Sequence, residues 1–455
     1  MTTSHRSLCA SVVTLKAAVQ QWTVQLEIEK LIYGGDGLAR LPADDQGRRK
    51  AVFVPFVLEG EQVEARLDQH KPEFARAHVD QVLRPSPHRI EPKCPYFHRC
   101  GGCHYQHTTY EHQLEIKAAI LKESLTRIAK FELMADLQVH PSPPWNYRNR
   151  TRMRVRPSPF ALGYNRMWSH VFLAVDQCPI SSPLINRAIA EIWELGRTGV
   201  SFDQISEIEF FASAEDSELQ IELHPAEDTP EAGEAARHLT PQLAGKIPEM
   251  ATVAVSVAAP IPPRSPEVIV GPGAIFYKTR DAAYRVSPGS FFQINRYLTD
   301  ELIQIVTAGR TGNTAIDYYA GVGLFAVPLA RRFERVIAVE SSQTSFSDLQ
   351  YNAPANIRAV QATAEQHLKN ATSSQQKIRA DLVVVDPPRG GLGQTVAQAL
   401  GRLGPPRVTY VSCDPATLAR DLKVLLEFGY KVEQAHLVDL FPQTYHLETV
   451  LNLVR

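Results

Sequence analysis

The chain has 455 residues, of which 44% are hydrophobic and 21% are charged, and its formal net charge is −1. This length predicts two to four domains, and the lack of any run of 18 or more apolar residues in the sequence predicts that the chain does not span a membrane. Residues 1–21 lack an apolar core followed by a small-residue cleavage site, so we expect an N-terminal extension rather than a signal peptide, and a cytoplasmic protein.

Residues 22–84 alternate apolar and polar side chains in short runs, separated by turns such as Gly34–Gly35–Asp36–Gly37. This pattern predicts a small all-β barrel. The segments Leu31–Ala39, Val52–Pro55 and Gly60–Val63 carry a resemblance to the TRAM domain, an OB-like module that binds RNA. The resemblance implies an RNA-binding barrel over residues 22–84.

Four cysteines follow: Cys94, Cys100 and Cys103 are spaced C-x5-C-x2-C, and Cys178 lies further along the chain. In a reducing compartment such clustering favours a metal or cluster site over disulfides. Four thiolates suit either an iron–sulfur cluster or a structural zinc ion, and the spacing alone leaves both open. The spacing differs from the C-x3-C-x2-C of radical enzymes, which disfavours radical chemistry.

Residues 85–275 are expected to form a central α/β domain around these cysteines. A helix is predicted over Tyr110–Ala129, with Lys and Glu facing away from an apolar face made by Leu114, Ala118, Leu121 and Leu125. Further along, the pattern predicts a helix near Asn186–Leu195, strands near Ile205–Ala212 and Glu218–Leu223, and a proline-rich stretch over Ala259–Pro272.

A basic segment lies within this central region: from Arg84 to Arg156 there are 13 Lys and Arg against 6 Asp and Glu, a net charge of +7. Arginine recurs there at every second position, as Arg148, Arg150, Arg152, Arg154 and Arg156. On a strand, all five guanidinium groups would point to one face. Phosphates would relieve their mutual repulsion, which favours a nucleic-acid surface. Pairing with acidic neighbours elsewhere in the fold is the alternative.

From about residue 276 the pattern changes to alternating strands and helices, which predicts a Rossmann-like α/β domain over residues 276–455. A strand at Thr314–Asp317 leads into a turn that contains Gly321 and Gly323, and the next strand ends in Glu340. Glycines let the backbone approach a ligand, and the acid can accept both ribose hydroxyls. A single G-x-G suits S-adenosylmethionine better than a dinucleotide.

Two more strand ends of this domain carry reactive side chains. Asp386 ends one strand on a proline-stiffened turn, and Cys413 follows the strand Val408–Ser412. Asp414 is the expected helix N-cap, with Pro415 at the first helical position. Open α/β sheets bind ligands at such strand ends, where a helix N-terminus can stabilise a thiolate. From this segment alone, a nucleophile and a buried structural cysteine are both open.

Five segments of the C-terminal half resemble the RNA uracil-5-methyltransferases of the TrmA/RumA family, in the family's order: SPGSFFQIN, DYYAGVG, DPPRGGL, VSCDPATLARDL and DLFPQTYHLETV. The cysteine spacing and the TRAM-like segment resemble the RumA-like branch, which carries a [4Fe–4S] cluster and modifies ribosomal RNA. The resemblance therefore implies a cluster, rather than zinc, on the four cysteines.

The resemblance also implies site roles. Cys413 would add to carbon 6 of uracil, so that carbon 5 can attack the methyl sulfonium, and Glu448 would then remove the carbon-5 proton. Asp386 would contact or position the uracil, and it is grouped with the residues that hold the cofactor: Gln293, Tyr319, Gly321 and Glu340. This chain departs from the family at Ala320 and Leu324, and the adenine contact stays open between Thr363 and Glu365.

The expected function is S-adenosylmethionine-dependent methylation of carbon 5 of a uridine in RNA, preferably 23S ribosomal RNA, by a monomer. A transfer-RNA uridine methyltransferase and a catalytically inactive RNA-binding or assembly factor are the alternatives. A cytosine-5 methyltransferase and a zinc-bearing RNA-binding protein are two further hypotheses.

Overall fold

A computed structural model of the chain describes residues 23–227, 229–256, 266–373 and 378–455. The predicted N-terminal extension and the first part of the proline-rich stretch lie outside the described residues. The chain divides into two compact units, a small one that ends at Ser86 and a large one that contains Pro87–Arg455 together with Ile32–Gly35. In the part of the chain that is described, no helix is long and apolar enough to cross a membrane.

The small unit is built from strands, as its alternating pattern predicts. Its six strands are β1 (Thr23–Glu27), β2 (Lys30–Leu31), β3 (Asp36–Arg40), β4 (Ala51–Pro55), β5 (Gln62–His70) and β6 (Phe74–Arg84). They form one sheet in the order β1-β5-β6-β4-β3-β2. Alternate side chains such as Val52, Val54, Val63 and Ala65 are fully buried in its core, because successive residues of a strand point to opposite faces.

The helices of the large unit are α1 (Tyr110–Ser124), α2 (Pro183–Arg197), α3 (Pro230–Lys246), α4 (Thr299–Thr307), α5 (Ala326–Leu329), α6 (Gln343–Asn352), α7 (Ala364–Ser373), α8 (Gly393–Leu403) and α9 (Pro415–Glu427). A π-helical turn, Leu125–Ala129, continues α1, so the predicted helix over Tyr110–Ala129 is confirmed in extent. The helix predicted near Asn186–Leu195 is α2.

A seven-stranded sheet follows the cysteine segment in the order β10-β9-β8-β11-β12-β13-β14. Its strands are β8 (Arg150–Arg156), β9 (Ala161–Asn165), β10 (Phe172–Ala174), β11 (Ile205–Ala212), β12 (Leu219–Pro225), β13 (Met250–Val255) and β14 (Glu267–Val270). Helices α2 and α3 contribute Ile189, Ile192 and Leu239 to the core that this sheet shares with them. The described end of the proline-rich stretch contains β14.

The C-terminal sheet has eight strands in the order β19-β18-β17-β20-β21-β23-β22-β7. They are β7 (Leu137–His140), β17 (Gly312–Tyr318), β18 (Phe333–Glu340), β19 (Ile357–Gln361), β20 (Leu382–Val385), β21 (Arg407–Ser412), β22 (Lys431–Val438) and β23 (Glu448–Val454), and a hairpin of β15 (Ile275–Lys278) and β16 (Ala283–Val286) precedes β17. Strands β17 to β21 run parallel, whereas β23 is antiparallel to both its neighbours.

Two features of the large unit differ from the sequence-based expectations. Strand β7 lies within the predicted central domain, yet it pairs with β22 at the edge of the C-terminal sheet. The buried side of α1 includes Gln113 and Lys117, although the leucine spacing predicted that lysine and glutamate face solvent. The physical reason for the second difference is a buried polar partner, described below.

Candidate active site

The turn that carries Cys413 joins β21 to α9. The Asp414 carboxylate accepts hydrogen bonds from the backbone N–H groups of Ala416 and Thr417, at 3.0 and 2.9 Å, and α9 begins at Pro415. This confirms the predicted N-cap, and it fixes Cys413 at the carboxyl edge of the sheet. The carbonyl oxygen of Cys413 accepts a hydrogen bond from the Tyr33 hydroxyl at 3.2 Å, a contact that no sequence signal indicated.

The register of the last strands brings Glu448 next to Cys413. In the antiparallel ladder of β21 and β23, Ser412 lies opposite Thr449, so Cys413 and Glu448 occupy the next position along the two chains. Glu448 is buried, as the first residue of β23. The two predicted reacting groups, 35 positions apart in the sequence, therefore meet at one end of the sheet.

Buried carboxyl groups control the charge at this edge. Burial raises the pKa of Asp386 to about 7, and burial, followed by the charge of Asp386, raises the pKa of Glu448 well above its usual range. Burial, then the charges of Glu448 and Asp386, raises the pKa of the Cys413 thiol to about 12, while Arg389 acts in the opposite direction. The thiol and the two acids thus form one electrostatically coupled group.

The glycine turn between β17 and α5 contains three residues with positive φ: Tyr319, Gly321 and Gly323. The Gly321 N–H donates to one oxygen of Glu340 at 2.9 Å, and the Ser342 N–H donates to the other at 2.6 Å. The acid at the end of β18 is therefore held against the turn, with its remaining lone pairs available to ribose hydroxyls. Burial, then the charges of Asp421 and Glu365, raises the pKa of Tyr319 to about 12.

Sequence reasoning did not assign a role to Asp317, although it is the last residue but one of β17, just before this turn. Its carboxyl group is fully buried, and the backbone N–H of Ala326 lies beside it. Burial, then the charge of Asp386, raises its pKa well above the usual range. The signal that could have identified it is its position, an acid at a strand end next to a glycine turn. Gln293 is buried in the loop before α4, where its carbonyl oxygen accepts from Asn149.

The four predicted ligand cysteines line one cavity of about 580 Å³, together with Arg148. Burial raises the pKa of Cys100 to about 11 and that of Cys103 further, and the charge of Cys178 raises both, whereas Arg148 lowers both. The Arg148 Nε is buried and has no hydrogen-bond partner among the described residues. In the described part of the chain, no three His, Cys, Asp or Glu side chains converge on a single metal-ion position.

The five arginines that were predicted to contact RNA lie in three different environments. Arg148 precedes β8 and lines the cysteine cavity. Arg150 and Arg152 both form ion pairs with Glu209 on β11, with closest N–O distances of 2.5 and 2.6 Å. Arg154 donates to Asn165 and His170, and exposed Arg156 lies over the Phe172 ring. Charge repulsion along the row is therefore partly relieved inside the protein, and RNA contact by these residues stays a prediction.

Comparison with protein families identifies two segments. The tRNA (Uracil-5-)-methyltransferase family matches residues 109–455, and the TRAM domain matches residues 22–79. An uncharacterized RNA methyltransferase of Aquifex aeolicus is 32% identical over 436 residues, which cover 94% of this chain and 98% of the relative. The 23S rRNA (uracil(1939)-C(5))-methyltransferase RlmD of Vibrio parahaemolyticus is 28% identical over 439 residues, 93% of this chain and 94% of that protein.

Among solved structures, the fold is similar to that of the Pyrococcus abyssi tRNA (uracil-54, C5)-methyltransferase in complex with S-adenosyl-L-homocysteine. The TM-score is 0.71 at 24% identity, and the match covers 94% of this chain and 100% of the other. This likeness confirms the methyltransferase fold that the strand and helix pattern predicted.

Proposed function

This chain belongs to the tRNA (uracil-5-)-methyltransferase family, and from that membership we propose that it transfers the methyl group of S-adenosylmethionine to carbon 5 of a uridine in RNA through a covalent bond to Cys413. The observation that carries the proposal is the adjacency of Cys413 and Glu448 at the ends of β21 and β23, with Asp386 at the neighbouring strand end. Addition of the thiolate to carbon 6 makes carbon 5 nucleophilic enough to attack a methyl sulfonium.

The proposed mechanism gives the two buried acids, Asp386 and Glu448, different roles. Burial raises the pKa of both Asp386 and Glu448, and the charge of Asp386 adds to the rise at Glu448, so the pair holds a proton more readily than separate carboxylates would. In the proposed mechanism Asp386 contacts the uracil, and Glu448, in its ionised form, removes the carbon-5 proton.

The cofactor would lie along the carboxyl ends of β17 and β18. Glu340, oriented by the glycine turn, would accept the ribose hydroxyls, and Tyr319, Gln293 and the backbone at Gly321 would line the remainder of the site.

The four cysteines are proposed to hold a [4Fe–4S] cluster. A zinc ion would require all thiolates to converge at about 2.3 Å from one point, whereas a four-iron cluster binds each thiolate at a separate iron. The cavity and the shielded positive charge of Arg148 suit a large, negatively charged group. The proposed role of the cluster is structural, and iron and sulfide analysis of anaerobically purified protein tests its presence.

Ribosomal RNA is the proposed substrate class, because the named relatives include 23S rRNA methyltransferases. The transfer-RNA enzyme among the structural neighbours makes transfer RNA the second candidate. The TRAM domain and the exposed arginines of β8 would contact the RNA phosphates. The target base would have to be unstacked to reach Cys413. A cytoplasmic monomer remains the prediction for the free protein.

The test uses ribosomal or transfer RNA in which uridine is replaced by 5-fluorouridine. Fluorine at carbon 5 cannot leave as a proton, so the covalent complex should persist after denaturation when S-adenosylmethionine is present. The complex should disappear in Cys413→Ala, whereas Cys9→Ala should retain it. A complex with transfer RNA alone would overturn the substrate assignment and keep the mechanism. No complex with either RNA, from protein that binds S-adenosylmethionine, would favour the inactive RNA-binding factor.

A further inference from the structure

The turn between β22 and β23, residues 439–447, ends at the proposed base Glu448. Three polar side chains on one face of α1 contact this turn: Tyr110, Gln113 and Lys117, spaced three and four residues apart. The Tyr110 hydroxyl donates to Asp439 at 2.9 Å, and the Lys117 ammonium group contacts Asp439 at 2.5 Å and Phe441 O at 2.9 Å. Burying polar groups is costly unless they are hydrogen-bonded, so these three side chains are stabilised in the interior by their contacts with the turn.

Gln113 makes the most contacts of the three. Its Oε1 accepts from the Gln443 N–H at 2.9 Å, and its Nε2 donates to the Gln443 Oε1 at 3.0 Å. The same Nε2 also faces the carbonyl oxygens of Tyr105 and Thr108, at 3.1 and 3.2 Å. Gln113 and Gln443 are 1% and 3% exposed, so water cannot replace either amide.

Gln443 is itself an unusual residue, since its φ of 68° lies in the left-handed region that side chains rarely adopt. Its carbonyl oxygen accepts from the N–H groups of His104 and Tyr105, at 2.8 and 3.0 Å. These two residues directly follow Cys103, so the turn before Glu448 is bonded both to α1 and to the segment that bears three of the cavity cysteines. Such a conformation persists only where surrounding contacts determine it.

We propose that Gln113, acting through Gln443, is a positioning residue for Glu448; the proposal rests on the function proposed above. In the last step Glu448 takes the proton from carbon 5, the C–H electron pair forms the carbon 5–carbon 6 double bond, and the carbon 6–sulfur bond breaks to release the Cys413 thiolate. Only this step needs Glu448 as a base. A loosened turn therefore slows the release of methylated RNA more than the formation of the covalent complex.

The test compares wild-type protein with Gln113→Met and Gln443→Ala, using RNA with ordinary uridine and S-adenosylmethionine. At steady state we expect about tenfold more denaturation-resistant protein–RNA complex in each variant and a correspondingly lower kcat, because small displacements of a reacting group have effects of this order or larger. Gln443→Ala keeps the backbone hydrogen bonds of the turn, so the test does not depend on Gln113→Met folding. Gln398→Met, on α8, is the matched control and should behave as wild type.

The accumulation of complex separates positioning from a general structural role. If the variants lose complex and turnover in equal proportion, or change neither, the proposal is overturned. Alongside the accumulation we expect an S-adenosylmethionine affinity equal to that of wild type and a lower melting temperature, because the buried partners of the amide lose hydrogen bonds. Failure of the proposed function would look different, since wild-type protein would then give no complex with 5-fluorouridine RNA.

Discussion

Lys117→Met is expected to remove about 3 kcal/mol from the free energy of unfolding of the large unit, the lower end of the range for breaking a buried ion pair from one side. The Lys117 and Asp439 side chains are 0% exposed, with Nζ and Oδ1 2.5 Å apart. The lower end applies because Asp439 keeps the hydrogen bond from the Tyr110 hydroxyl on its second oxygen. Burial, opposed by Asp439, lowers the pKa of Lys117, as expected for an ammonium group removed from water.

Thermal unfolding followed by circular dichroism measures this effect. At about 2 °C per kcal/mol for a large domain, the melting temperature should fall by about 6 °C. The matched control is Arg127→Met, which breaks an exposed pair with Glu123 in the π-helical turn that continues α1 and should cost at most about 0.5 kcal/mol. Lys117→Met/Asp439→Leu should recover part of the loss, because no uncompensated charge then remains. Equal melting temperatures for the two single variants would refute the reasoning.

Three further outcomes are expected. Burial raises the Asp386 pKa from 3.8 to about 7, so between these pH values the folded protein keeps a proton that the unfolded chain releases. The free energy of unfolding of the wild-type protein should therefore fall as the pH rises from about 4 to 7. Melting curves of Asp386→Asn should show a smaller fall over the same pH range. Cys103→Ser should lower the iron bound per chain in metal analysis, while Cys9→Ser should not; equal iron in both would contradict the cluster. Arg156→Ala should weaken RNA binding with a salt slope smaller by about one, whereas Arg150→Ala, which breaks a buried ion pair, should mainly lower the melting temperature.

The turn that carries Cys413 could be predicted from the sequence because its signals are local. An apolar strand, Asp414 at the N-cap and Pro415 at the first helical position lie within a few residues of Cys413, and each residue has the role that its chemistry suggested. The glycine turn and Glu340 were accessible for the same reason. Asp317 was missed because its importance depends on burial beside Asp386, on a strand about 70 residues later in the chain.

The buried face of α1 could not be predicted in this way. Leucine spacing indicated a face through Leu114, Ala118, Leu121 and Leu125. Leu121 and Leu125 are indeed buried, but the helix also buries Gln113 and Lys117. Their partners, Gln443 and Asp439, are more than 300 residues away in the chain, so no local periodicity can report them. The ion pairs of Arg150 and Arg152 with Glu209 could not be predicted for the same reason. Glu209 lies on the neighbouring strand of the sheet, β11, and is distant from the arginines in sequence.

The same long-range contacts bear on the register that joins Cys413 to Glu448. Side chains alternate along a strand, so a slip of one residue between β21 and β23 would turn Glu448 to the opposite face of the sheet. The ladder of β22 and β23 already contains an irregularity between Val432 and Gln434, so the hairpin alone does not determine its own register strictly. Contacts from α1 to the connecting turn supply the missing constraint at the end of the hairpin where the base lies. The positioning proposal therefore predicts that substitutions of the buried amide and ammonium groups of α1 change both turnover and stability, so turnover and unfolding must be measured on the same variants.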